Sequence, residues 1–323
     1  MKRFLPMIPL MATLAVAAAS GAVTIEKTSY QGWGNCYRIS NAEVELIVTA
    51  DVGPRVIRYA LIGGTNLFKE YADQLGRTGE AEFQLRGGHR LWVAPENLQT
   101  TWAPDNGPVN IRVDGETLTA SQPVDAAGFE KQIVVKLAET GSGVELVHRI
   151  RNTNPSPVEL APWTLTVMAP GGTAIAAFPP RGKHPEALLP THPLVMWAYT
   201  DLSDRRWTFT KKYLILRQDP RAVEPQKVGL FNAHTWGAYL LGSQLFLKQM
   251  KADPAGAYPD FGCSFETFTN ADMLELETLG PLTRLATGSS VEQVERWSLH
   301  KNIRIQVWSE AELDRVVAPL IAK

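Results

Sequence analysis

The residues most able to do chemistry sit in a few short stretches. In LELETLGP (residues 274–281) polar and apolar side chains alternate, which sets Met273, Glu275 and Glu277 on one face of a strand and Leu274, Leu276 and Thr278 on the other. Two carboxylates so placed are either a solvated strand face or, where that face lines a concavity, a pair in which burial raises one pKa and suits it to general-base work. In RGGHRLWVAPE (residues 86–96) the glycine pair permits positive φ or close backbone approach, which predicts a loop or bulge carrying His89 and Arg90. Trp92 and Trp102 offer flat faces to a sugar ring, and Glu96, Asn97, Asp105 and Asn106 offer hydrogen bonds. A satisfied structural histidine is the alternative for His89. In DVGPRVIRY (residues 51–59) a Gly-Pro turn launches a strand with Arg55 at its mouth, either a surface arginine or a fork of donors for hydroxyls or a carboxylate. Asp260, in the turn YPDFG, and His234 with Trp236, at the start of another strand, are weaker contacts for the same mouth. There is no HExxH, GxSxG or P-loop pattern, and the six histidines form no i, i+4 pair, so neither a metal nor a cofactor is expected.

These side chains need a frame, and the period of the sequence says which kind. Residues 43–49, 129–137 and 144–150 alternate with period two, with Gly141-Ser142-Gly143 as the turn between the last two. Further short strands are expected at 158–168, 227–231, 236–241, 245–248, 264–269, 273–278 and 291–299. A long series of strands with Gly, Pro, Asn and Asp punctuation predicts an all-β sandwich or barrel. The clearest helix signal is C-terminal, where Ser309 and Glu312 form a capping box ahead of Leu313, Val316 and Val317. The proline-rich run at 179–193 reads as a long crossing loop inside one domain.

The N-terminus sets Lys2 and Arg3 before an apolar run from residue 4 to residue 19, and then Ser20, Gly21 and Ala22. That is the pattern of a secretory signal peptide, with cleavage expected after Ala22 and a single domain over residues 23–323. The apolar run is shorter than the roughly 20 residues a spanning helix needs, so an exported, periplasmic or secreted protein with no membrane contact after cleavage is expected. Formal net charge is −1, from 32 basic and 33 acidic residues, with no run of one sign, which argues against nucleic acid as a partner. Export permits a disulfide between Cys36 and Cys263, although two buried thiols are the commoner outcome.

Taken in order, GWGNCYRISNAEVELIVTADVGPRVIRYALIGGTNLFKE (32–70), GGHRLWVAPE (87–96), APWTLTVMAPGG (161–172), KVGLFNAHTWGAYLLGSQLFLK (227–248) and LELETLGPLTRLATGSSVEQVERWSL (274–299) resemble the DUF4380 proteins. Those belong to the galactose mutarotase-like group, and the resemblance implies a β-supersandwich with a short C-terminal helix. Aldose 1-epimerases of the wider group use a late-strand glutamate as base and a central-strand histidine as acid. The resemblance therefore implies a base at Glu277, within Leu276-Glu277-Thr278. The comparable central stretch, PWTLTVMAPGG, holds Trp163 and Thr164 and no histidine, so His89 becomes the expected proton donor. Arg55, Arg90, Trp92, Glu96, His234, Trp236, Asp260 and Glu275 are the expected substrate contacts. The function this implies is an aldose 1-epimerase-like protein acting on or binding a mono- or oligosaccharide at a concave sheet face. A non-catalytic carbohydrate-binding protein and a polysaccharide or uronate lyase are the alternatives.

Overall fold

A computed structural model describes residues 22–189, 191 and 194–321. The expected signal peptide, residues 1–22, lies outside them but for Ala22. The described chain is nearly all β, folded into two antiparallel sheets packed face to face. The centre of the first sheet runs Arg55–Leu61, Gly88–Ala94, Val158–Met168, Leu274–Leu279, Phe265–Thr269 and Gln226–Leu230. The centre of the second runs His234–Leu241, Gln244–Lys251, Ser290–His300, Val144–Asn152 and Phe129–Leu137.

Period-two patterning decides which side chains meet between the sheets. Leu91, Val93, Leu274, Leu276 and Phe265 of the first sheet join Phe246, Trp297, Ile133, Leu146 and Ile150 of the second in one apolar core. Alternate residues of the first sheet, including Trp92, Trp163, Leu165 and Leu279, form a second cluster on its outer face. On the outer side of the second sheet, Ile175, Tyr213, Trp236, Leu245 and Leu247 are covered by the C-terminal helix through Leu313 and Val317. That helix, Glu310–Val316, starts where the capping pattern predicts: the Ser309 side chain accepts from the Glu312 amide at 3.3 Å. The Glu312 carboxylate turns instead to Arg315 and the Gln306 amide. Cys36 and Cys263 are both buried free thiols.

The stretch expected as a loop around His89 is a fully buried strand, Gly88–Ala94, hydrogen-bonded on both edges. The glycines serve a different purpose from the one expected. Gly87 and Gly88 take φ of +83° and +68°, and a Cβ on Gly88 would stand 2.5 Å from the Val56 carbonyl oxygen. They let the chain enter the sheet where no side chain fits.

Between the sheets lies a closed polar network. His89 Nδ1 is 2.9 Å from Thr166 Oγ1, His89 Nε2 is 2.7 Å from His148 Nε2, and His148 Nδ1 is 3.2 Å from the Gln293 carbonyl oxygen. A carbonyl only accepts, so His148 carries its proton on Nδ1 and accepts at Nε2. His89 then donates from Nε2 and accepts the Thr166 hydroxyl at Nδ1. Beside them Lys248 pairs with Glu295 at 3.0 Å and donates to Thr164 and Thr166 and to the Leu276 carbonyl. Glu295 also accepts from Thr164, Thr278 and the Trp297 indole. His89, His148 and Glu295 thus lie close enough to hold a metal ion. Every one of these atoms already has a protein partner, and Lys248 supplies the positive charge.

Burial, with Lys248 beside them, holds His148 down at about 4 and His89 well below the usual range. Both are neutral in the folded chain, whereas the unfolded chain takes up protons near pH ~6.5. Stability is therefore full above that pH and is lost as pH falls, with His148 alone accounting for about 3 kcal/mol by pH ~4. Urea denaturation from pH 7.5 to 4.5 should show this loss, and His148→Gln should flatten the slope.

Candidate functional site

Registry places a charged row across the outer face of the first sheet. Arg55 lies opposite Arg90, Arg90 opposite Leu165, Leu165 opposite Glu277, and Glu277 opposite Glu266. Directly paired residues of antiparallel strands share a face, so Arg55, Arg90, Glu277 and Glu266 all point the same way. Trp92, Trp163, Glu275 and Lys227 join them two residues along their strands.

At one end of the row, Lys227 Nζ stands 2.7 Å from Glu266 Oε2 and 3.0 Å from Glu277 Oε2. The Trp163 indole donates to the same Glu277 oxygen at 2.9 Å. Both carboxylates are fully buried, and neither Oε1 has a hydrogen-bond partner among the described residues. One ammonium cannot neutralise two carboxylates. Burial, with Glu277 adding to it, pushes the Glu266 carboxyl well above the ordinary range, while the two carboxylates overcome the cost of burial and hold Lys227 well above its own. The ammonium is also sandwiched by rings, 4.8 Å from the Trp163 centroid and 4.6 Å from that of Trp197. Tyr199, at the surface, is pushed up to about 12, chiefly by partial burial.

At the other end, the Arg90 guanidinium lies 4.2 Å over the Trp92 ring and donates through Nη2 to Glu275 Oε1 at 3.0 Å. Its Nε and Nη1, and Trp92 Nε1, have no acceptor among the described residues. Phe83 and Trp102 pack edge-on and tilted against Trp92, at 5.3 and 4.9 Å between centroids, so this end is an aromatic box, buried at Trp92 and open to solvent at Trp102.

The expected site residues fall into four groups. Arg90, Trp92, Glu275 and Glu277 are brought together. Arg55 shares their face, but its guanidinium is spent on the protein: it makes a bidentate pair with Asp105 and donates to the carbonyls of Gln84, Leu85 and Gly87. It clamps the covering loop. Glu96 is at the exposed rim, bonded to the Trp102 indole, and Asp260 lies in a turn whose carbonyl accepts from the Cys263 thiol.

His89, His234 and Trp236 are not part of this face. His89 neighbours Arg90 in sequence and therefore points to the opposite side of the sheet, into the interior network, where it cannot face Glu277. His234 and Trp236 belong to the second sheet and line a groove of about 1540 Å³ on its outer side. No acid–base pair of His89 with Glu277 exists in this geometry.

Sequence reasoning passed over Lys227, Glu266 and Trp163. The available signal was a single charge inside an otherwise apolar or small-residue strand, as in KVGLF and SFETFT.

No family model and no curated protein matches this chain. Solved structures do. A galactose mutarotase-like protein from Lactobacillus casei aligns at 10% identity and TM-score 0.55, covering 82% of this chain and 100% of its own. Slr1438 from Synechocystis aligns at 12% and 0.53, covering 82% and 96%, and a galactose mutarotase-like protein from Clostridium acetobutylicum at 11% and 0.51, covering 87% and 99%. The chain has the galactose mutarotase-like fold. At such identities the likeness is one of architecture, and the chemistry must be argued from the residues in place.

The Lys227 trio has its own signature. Lys227→Met takes from Glu277 and Glu266 the ammonium they share and should cost about 3–5 kcal/mol near neutral pH. Protonating the carboxylates relieves the clash, so the penalty relative to the parent, read from urea midpoints, should shrink as pH is lowered from 8 to 5. A penalty independent of pH would assign Lys227 a packing role only.

Proposed function

We propose that the outer face of the first sheet binds a sugar and interconverts its anomers, with Glu277 as base and Glu266 as acid. The observation that carries this reading is the pair of buried carboxylates sharing one ammonium, each with an oxygen left unpartnered, on a face lined by indoles. Glu277 takes the proton of the anomeric hydroxyl through Oε1 while Glu266, kept protonated by burial, gives its proton to the ring oxygen. The bond between the anomeric carbon and the ring oxygen breaks, the open aldehyde rotates, and reclosure on the other face returns both protons. Trp163 and Lys227 hold Glu277 by its other oxygen and so orient the base. Indole faces suit the apolar side of a pyranose. The DUF4380 resemblance and the export signal belong to the same proposal, which places the protein in the periplasm or outside the cell.

A positioned acid or base contributes ~10²–10⁴-fold. Glu277→Gln and Glu266→Gln should each lower the rate of anomer exchange, followed by polarimetry or exchange NMR across a panel of aldoses, by about that factor. The face also lacks the histidine that aldose 1-epimerases use, and this favours a second reading, a binder without turnover. Calorimetric binding with no acceleration of exchange by the parent protein would decide for it.

A further inference from the structure

The two ends of this face differ in hydrogen-bonding character. At the carboxylate end the unpartnered atoms are acceptors, Glu266 Oε1 and Glu277 Oε1. At the arginine end they are all donors: Arg90 Nε, Arg90 Nη1 and Trp92 Nε1. Arg90 is 1% exposed and Trp92 5%, so bulk water does not reach these donors freely. The guanidinium carbon lies 4.2 Å from the centroid of the Trp92 ring, which sets the charge over an aromatic face.

We infer that the sugar taken by this face is an acidic one, its anionic group, carboxylate or phosphate, held by Arg90 and Trp92 while its anomeric hydroxyl faces Glu277. A hydroxyl would satisfy one of these donors, and a group with several acceptor oxygens and no proton satisfies them together. Charge points the same way. Arg55, opposite Arg90, is neutralised by Asp105. Arg90 has only Glu275, whose carboxyl is raised by burial and so compensates it less fully. The Arg90 and Glu277 strands are two apart in the sheet, about 10 Å between backbones, with Leu165 of the strand between them in the same row.

The inference rests on the sugar-binding reading above, and its test separates the two. Calorimetry of the full chain would compare glucose and galactose with glucuronate, galacturonate and glucose 6-phosphate. At least one acidic sugar should bind tenfold or more tightly than its neutral parent, and which one does so distinguishes carboxylate from phosphate. Arg90→Gln should bring that ratio to within about threefold. Trp92→Phe, which removes the indole donor and keeps a ring, should lower it by a smaller factor. Equal binding of acidic and neutral sugars by the parent protein overturns the acidic-sugar inference and leaves the sugar site standing. Absence of binding by any of them overturns the site itself. The parent ratio needs no variant, so an unstable Arg90→Gln protein does not block the test.

Discussion

A buried ammonium–carboxylate pair, Lys248 with Glu295, fixes how the two sheets sit on one another. Both residues are fully enclosed, and taking two charges out of water costs several kcal/mol each. The cost is offset only because almost every remaining donor and acceptor around them is met: Thr164, Thr166 and Thr278, the Leu276 carbonyl and the Trp297 indole. Apolar contact between sheets is non-directional and tolerates sliding. This network does not, because each of its bonds is lost within about an ångström of displacement. It holds the undersides of the Val158–Met168 and Leu274–Leu279 strands, whose upper sides carry Trp163 and Glu277.

The same strands therefore carry two polar systems back to back, separated by one thickness of backbone. His89 faces the interior and Arg90 the outside; Thr278 faces the interior and Glu277 the outside. A slip of one residue would exchange every member of one system for a member of the other, so the register of these strands is under unusual constraint. The two systems also feel each other's charge. Arg90 and Arg55 help depress His89, and Glu277 helps support the charge on Lys248. A change of protonation on the outer face is thus felt in the core that positions it.

How far this was legible follows from what period two can and cannot report. Alternation located several strands of both sheets and set Glu275 and Glu277 on one side, because their strand alternates carboxylate with leucine even though it is buried throughout. It could not say which side of a fully buried strand faces the core, and Gly88–Ala94 is buried on both. The Gly-Gly pair looked like loop chemistry and is a point of close approach to Val56. His89 was chosen because it lay near other polar residues in sequence, whereas neighbours in a strand point apart. Glu266 and Lys227 come from strands far along the chain and meet Glu277 only through sheet order, which a single sequence does not reveal.

Under the proposed reading, the exchange of a histidine for a carboxyl changes what keeps the acid protonated. An imidazole titrates near neutrality on its own, so it needs little help from its surroundings to serve as a donor. A glutamate must be forced to hold its proton, and here the force on Glu266 is burial first, with the neighbouring Glu277 carboxylate adding to it. Lys227 is the residue on which both roles turn, since it is the ammonium that both carboxyls share. The Trp163 indole breaks the symmetry by donating to Glu277 and not to Glu266. The division of labour between base and acid thus follows from one hydrogen bond, made by the side chain that stands in the central strand where the histidine of aldose 1-epimerases was expected.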